Sequence, residues 1–304
     1  MRTVGDGDFS LYGKLALARD FVRYATKPWG IGFHEFLIHG HESAQGKLVA
    51  EPVYFLSRFA PDGPLQCGVW IPSQDGVGRQ FPLAASIALQ TEVGREDASE
   101  LPIALQDFFD QLCSALSEGA YGDLQALQQR VSSLPAPSAN LMAGAKVRSA
   151  QALAEDTVAD FAVRAFGEGR TEQLHYALRV IQLAAQESRA RDSTTVLLDC
   201  PIAADIDIVV WGELAQRATG GDGRQIGLFW TESTPRLIVT PRVATPDVFA
   251  GLTSASGSHA TLWPLTTGRP EAIGRAHDEL SADMRTASEH HRPLRGLMTA
   301  RFDA

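Results

Sequence analysis

The sequence predicts two α/β sandwich domains, each with a mixed sheet flanked by helices. Three observations predict it. Segments of strand and helix character alternate in both halves of the chain, which is the pattern of α/β layers. The length of 304 residues suits two ordinary domains. A stretch of prolines and small polar residues, Ser133 to Asn140, separates the halves. The expected division is an N-terminal α/β domain at 1–133, a linker at 134–149, and a C-terminal α/β domain with leading helices at 150–304.

In the first half, Leu15 to Tyr24 reads as a short helix, with Leu15, Phe21 and Val22 on one side. Pro28-Trp29-Gly30 ends it, and Phe33, Phe36 and Leu37 begin a second helix that stops near Gly40. Pro52 to Phe59 is rich in β formers and predicts a strand. Gln66 to Ile71 and Phe81 to Leu89 predict a hairpin. The turn formers between them, Pro72 to Gln80, make a long polar loop. Leu105, Phe108, Phe109, Leu112 and Leu116 recur at helical spacing, and Asp123 can cap a helix from Leu124 to Val131.

Beyond the linker, helices are expected at Ala150 to Phe166 and Thr171 to Arg189, separated by Gly167-Glu168-Gly169. Strands are expected at Thr194 to Asp199, Ile226 to Thr231 and Leu237 to Thr240. A helix is expected from Asp205 to Arg217, and a loop at Gly220 to Gly223. Thr245-Pro246-Asp247 carries helix-start residues, and Pro270 to His290 predicts one long polar helix.

Composition narrows the function. The net charge of −9 and absence of a basic run disfavour nucleic acid and anionic membrane surfaces. No apolar run is long enough to insert in a membrane, and the acidic start at Met1 to Asp8 lacks an apolar leader, so a cytoplasmic location is expected. Cys67, Cys113 and Cys200 are far apart and odd in number, which suits free thiols rather than a disulfide or zinc framework.

Motifs that would carry chemistry fall short. Gly40 to Leu48 resembles a phosphate loop, with one residue too many between its glycines and Leu48 where a hydroxyl is needed. His34 and His39 are one position too far apart for a zincin helix, which turns the second ring about 140° from the first. His39 and His41 read as solvated or capping side chains at a helix end, and His290-His291 as a wet helix end. No nucleophile elbow, dinucleotide fingerprint or paired-carboxylate motif stands out. No catalytic residue, metal site or cofactor is expected.

Three segments carry a resemblance. Tyr12-Gly13-Lys14-Leu15 leads to Asp20-Phe21-Val22. Gly68-Val69-Trp70-Ile71-Pro72-Ser73-Gln74-Asp75-Gly76-Val77-Gly78-Arg79-Gln80-Phe81-Pro82-Leu83 is a distinctive string. Leu228-Phe229-Trp230-Thr231-Glu232-Ser233 precedes Pro246-Asp247-Val248-Phe249-Ala250-Gly251-Leu252. Together they resemble the two-domain form of the TagF family of type VI secretion-associated regulatory proteins. The likeness departs at Arg19, where the family usually has Gly, and at Phe229 and Ser233, where it usually has Trp and Gly.

The resemblance implies a bacterial, non-catalytic repressor that restrains type VI secretion after translation. It implies protein partners among type VI regulatory components, a forkhead-associated scaffold foremost. Ser73, Gln74, Asp75 and Arg79 in the loop, with Trp230 and Glu232 in the second half, are the candidate partner-binding residues. The residues themselves also admit a scaffold role: Asp75 can hold the turn, Gly76 and Gly78 can supply positive φ, and Arg79 can pair with Asp75 or Asp62. The alternative is an α/β enzyme or a nucleotide- or phosphate-binding protein using Pro72 to Arg79 as an anion loop. The oligomeric state is left open.

Overall fold

A computed structural model describes residues 4, 8–25, 27–89, 100–190, 196–219, 226–255 and 259–302. The expected loop at Gly220 to Gly223 and the start of the strand expected from Thr194 lie outside the described residues.

The first half contains β1 (Phe9–Gly13), β2 (Val22–Ala25), α1 (Trp29–Ser43), β3 (Val53–Ser57), β4 (Gln66–Ile71) and β5 (Leu83–Ala88), then α2 (Leu101–Ala104), α3 (Gln106–Gly119) and α4 (Leu124–Ser133). Next come α5 (Ala139–Glu155), α6 (Val158–Phe166), α7 (Thr171–Ala190), β6 (Leu197–Pro201), α8 (Asp205–Thr219), β7 (Gly227–Thr231) and β8 (Arg236–Thr240). The chain finishes with α9 (Asp247–Thr253), β9 (Leu262–Pro264), α10 (Pro270–Glu279), α11 (Ala282–Ala287) and α12 (Leu294–Thr299).

The α/β class holds: among the described residues the strands form a mixed sheet flanked by helices. That sheet has nine strands in the order β2-β1-β5-β4-β3-β7-β8-β6-β9. Every pairing is antiparallel except β6 with β9. The two halves meet inside this sheet, where β3 pairs with β7 through Tyr54↔Trp230, Phe55↔Phe229 and Leu56↔Leu228. The segment expected as a linker is built in as well. Val4 N–H donates to Leu134 O at 2.8 Å, and α5 starts at Ala139.

Both faces of the sheet are covered, which explains the unbroken burial of β1, β3, β4 and β7. On one face α1 and α9 cover a small aromatic core of Phe33, Phe36, Phe55, Trp70, Phe229 and Phe249. On the other, α3 to α8 and the C-terminal helices share a larger core that includes Tyr54, Phe109, Phe161, Trp211 and Trp230. Gly40 lies inside α1, not at its end. A Cβ there would sit 2.7 Å from Phe249 Cβ, so this glycine lets α1 and α9 approach closely.

Three further local expectations change. The helix expected over Leu15 to Tyr24 is a loop followed by β2, whose Val22 and Tyr24 pair with Gly13 and Leu11 of β1. Burial of β1 between β2 and β5 overrides the weak helical spacing. The helix expected over 150–166 breaks at Asp156, where Thr157 and Asp160 form a capping box that restarts it as α6. The long C-terminal helix breaks at buried Leu280. Ser281 then accepts from Met284 N–H and starts α11.

The aromatic seam makes a prediction. Phe229 is fully buried, with ring centroids 5.8 Å from Phe36, 6.0 Å from Phe55 and 5.9 Å from Trp70. Phe229→Ala should cost about 3–5 kcal/mol. In denaturant titrations followed by fluorescence and circular dichroism, both halves should lose stability in one coincident transition. Separate transitions, with only one displaced, would show that the halves unfold independently.

Candidate functional site

The β4–β5 connection is tied down by its own carboxylate. Asp75 has no side-chain surface exposed. It accepts from Val77 N–H at 3.1 Å and Arg79 N–H at 2.9 Å, from Arg79 Nε at 2.7 Å, and from Lys14 Nζ at 3.0 Å. The Lys14 side chain is only 5% exposed, and its ammonium also lies 4.9 Å from the centroid of the Phe21 ring. Burial alone would raise the Asp75 carboxyl. The hydrogen bonds from Arg79, Lys14 and Val77 outweigh burial and hold it well below the usual carboxylate range.

Five further donors of this region are also committed. Asp75 N–H donates to Arg79 O, Gly76 N–H to Ala18 O and Gly78 N–H to Asp75 O. Ser73 Oγ donates to Lys14 O at 2.7 Å, and Arg79 Nη2 to Arg19 O at 2.5 Å. Gly78 has φ +87°, as expected for this loop, but Gly76, expected to share it, has no positive φ and instead donates its N–H to Ala18 O. Arg19 has no positive φ, so the segment turns without glycine there. The loop and residues 14–20 thus form one clamped unit.

Of the sequence candidates, Ser73, Asp75 and Arg79 converge on this clamp. Gln74 is exposed and bridges to Gln80. Trp230 and Glu232 form no part of it. They sit two strands away at the same end of the sheet, as the register Val53↔Trp70 and Tyr54↔Trp230 requires. Trp230 is buried, stacked on Tyr54 at 5.8 Å and edge-on to Phe109 at 5.0 Å. Glu232 is exposed and accepts from Gln106 and Tyr54. Partial burial, then the charge of Asp110, push its carboxyl upward.

Sequence reasoning missed the apolar surface around the clamp. Leu17 is 71% exposed, Val77 67% and Tyr121 79%. Backbone bonds bring them together: Ala16 N–H donates to Ala120 O at 3.1 Å, and Gly76 N–H to Ala18 O at 2.8 Å. Beside them lies a notch of about 230 Å³, with Leu48, Pro72, Ala120 and Tyr121 as apolar walls and Gln74 and Gln80 as polar ones. The signal was an apolar residue set in turn-forming sequence, Val77 between two glycines and Tyr121 before Gly122.

The histidines of α1 do not converge. His34 is buried, with Nε2 2.6 Å from Ser10 Oγ and its ring stacked on Tyr12 at 4.6 Å. Burial, and then nearby Arg23, push it down to about 4. His39 is exposed and pairs with Glu42, while His41 lies against Phe81. Among the described residues no three His, Cys, Asp or Glu side chains are placed to hold a metal. Among them, too, no helix is long and apolar enough to cross a membrane.

Comparison with known proteins gives two findings. Residues 10–134 match the family described as the TagF N-terminal domain, type VI secretion system-associated. The crystal structure of PA0076 from Pseudomonas aeruginosa PAO1 is similar at 17% identity and a TM-score of 0.48, covering 86% of this chain and all of that one. No curated protein matches the sequence.

The clamp generates two predictions. Gly78→Val should cost about 1–3 kcal/mol in denaturation, through backbone strain alone, because no atom lies within 4 Å of a Cβ placed there. Asp75 has a depressed folded pKa, so its stabilisation is present above the unfolded value of about 4 and is lost as pH falls through the folded one. Asp75→Asn should lower the melting temperature by several degrees at neutral pH. It should also flatten the loss of stability below about pH 4. An unchanged acid limb would place that titration elsewhere.

Proposed function

We propose, from the premise that residues 10–134 are a TagF N-terminal domain, that this chain is a non-catalytic regulator of type VI secretion. It restrains secretion after translation, in the cytoplasm, by binding a protein partner. A forkhead-associated component of the secretion machinery is the partner the family resemblance favours.

The observation that carries this reading is the state of the loop donors. An anion-binding or catalytic loop needs N–H groups and side chains aimed outward. Here Val77 N–H, Arg79 N–H and Lys14 Nζ all point at the Asp75 carboxylate, and Gly76 N–H is spent on Ala18 O. The internal carboxylate occupies the place a phosphate would take, which weighs against an enzymatic or nucleotide-binding loop. Outward the site offers the apolar side chains of Leu17, Val77 and Tyr121 beside exposed Gln74, Arg79 and Gln80 on a rigid base, the mixed character of a protein-recognition surface.

The test is removal of the gene from a host with an active type VI system. Secretion of type VI substrates should rise while transcript levels of the system stay constant. In calorimetry, the purified chain should bind the forkhead-associated component of the same host. Unchanged secretion in the deletion strain would contradict the regulatory role, and absence of binding would contradict the partner.

A further inference from the structure

We infer that α10 is a strap lying along α7, held down at neutral pH and loosened when the contact between His175 and His277 takes up a proton. The inference goes beyond the regulatory role proposed above and stands without it.

The packing of α10 is light. Pro270 at its start and Glu271 in its first turn favour the helix, yet Ala276 is its one buried residue. Both ends are pinned. At one, Tyr176 Oη donates to Thr267 O at 3.2 Å, and a Cβ on Gly268 would meet the Tyr176 ring at 2.6 Å. At the other, Leu280 is buried and Ser281 Oγ donates to Arg301 O at 2.9 Å. Between these points the His277 ring lies on His175, and the Glu279 carboxylate accepts from Arg179 Nε at 3.2 Å. A partly exposed ion pair contributes little, and one buried methyl far less than a core side chain. α10 also walls a groove of about 490 Å³, with Val180 and Leu183 of α7 and Leu262 and Trp263 of β9 as apolar lining. Lifting the strap opens this groove.

The contact that holds the middle of the strap tolerates a proton poorly. The His175 and His277 ring centroids are 4.8 Å apart, and His290, bonded to Thr171, approaches from the α11–α12 connection. Three imidazoles thus meet where α7, α10 and that connection join. Burial, then His277, then His290 push His175 down to about 4, against a hydrogen bond with the Ser288 backbone. The carboxylates around it are engaged with other cations. Asp278 lies 3.3 Å from His277 Nδ1, Glu279 pairs with Arg179 and Arg275, and Glu289 pairs with His291 and Arg292. On α7 itself, Glu172 and Arg179 stand one turn to either side. A histidine held below its ordinary value stabilises docking fully above about pH 6.5, and that stabilisation fades as pH falls toward the folded value. A complete return of His175 to its ordinary value on release would weaken docking about tenfold between pH 7.5 and pH 5.5. His290 stays in place, so tenfold is the upper limit. This window lies above the one in which Asp75 titrates.

The experiment is amide hydrogen exchange on the full chain at about pH 7.5 and about pH 5.5, with rates corrected for the intrinsic effect of pH. In wild type, protection across α10 should fall severalfold, up to about tenfold, while the amides of α7 and β6 keep theirs. His175→Gln keeps a hydrogen-bond donor for Ser288 and cannot take a proton, so its α10 protection should be equal at both pH values. If that variant melts early, His277→Lys replaces it. A fixed charge against His175 should lower α10 protection already at the higher pH, and unchanged protection there overturns the inference. Constant protection of α10 in wild type would mean that the strap is not released. Equal falls in wild type and His175→Gln would place the titration on other groups. A parallel fall in α10, α7 and the sheet would be a general loss of stability in acid. Each of these results overturns the strap.

Discussion

Asp75 carries its charge with the side chain closed off from water, and such a charge persists only when donors surround it. Lys14, from a segment far away in sequence, is the donor that makes the arrangement more than a turn. Through it the β4–β5 loop and residues 14–20 must adopt one geometry together, with Ser73, Gly76 and Arg79 reinforcing the junction by bonds to Lys14, Ala18 and Arg19 carbonyls. Removing one ion of such a pair strands the other in a site that water cannot reach.

Beneath the clamp, the sheet supplies stiffness. β3 joins the halves by pairing with β4 on one side and β7 on the other, and the aromatic seam of Phe36, Phe55, Trp70 and Phe229 crosses the same junction. Glu51, just before β3, accepts from the N–H groups of Ser233 and Thr234, so the turn after β7 is fastened to the first half as well. The β4–β5 loop therefore stands on a base to which both halves of the chain contribute. That base holds the loop in one geometry.

Much of this region was legible in the sequence. Turn formers between two apolar runs marked the β4–β5 hairpin, and the positive φ at Gly78 and the Asp75–Arg79 pair followed from turn chemistry. What could not be read was non-local. Nothing in residues 12–24 shows that Lys14 meets Asp75, or that Phe9 to Gly13 pairs with Val22 to Ala25, because a short apolar segment suits strand and helix equally. The junction of β3 with β7 joins strands from opposite halves, and local patterns carry no record of such pairing. Leu17 and Tyr121 lie in turns, where no spacing pattern tells an exposed apolar side chain from a buried one.

The central claim is that Asp75 holds the loop and residues 14–20 as one unit. Amide hydrogen exchange on Asp75→Asn tests it most directly, because the Gly76 and Ala16 N–H groups report the two sides of the junction. The account predicts that both lose protection together with Val77 and Arg79, while the amides of β4 and β5 keep theirs. Retained protection at Ala16 and Gly76, with exchange rising only at Val77 and Arg79, would mean that Asp75 shapes its own turn and nothing more.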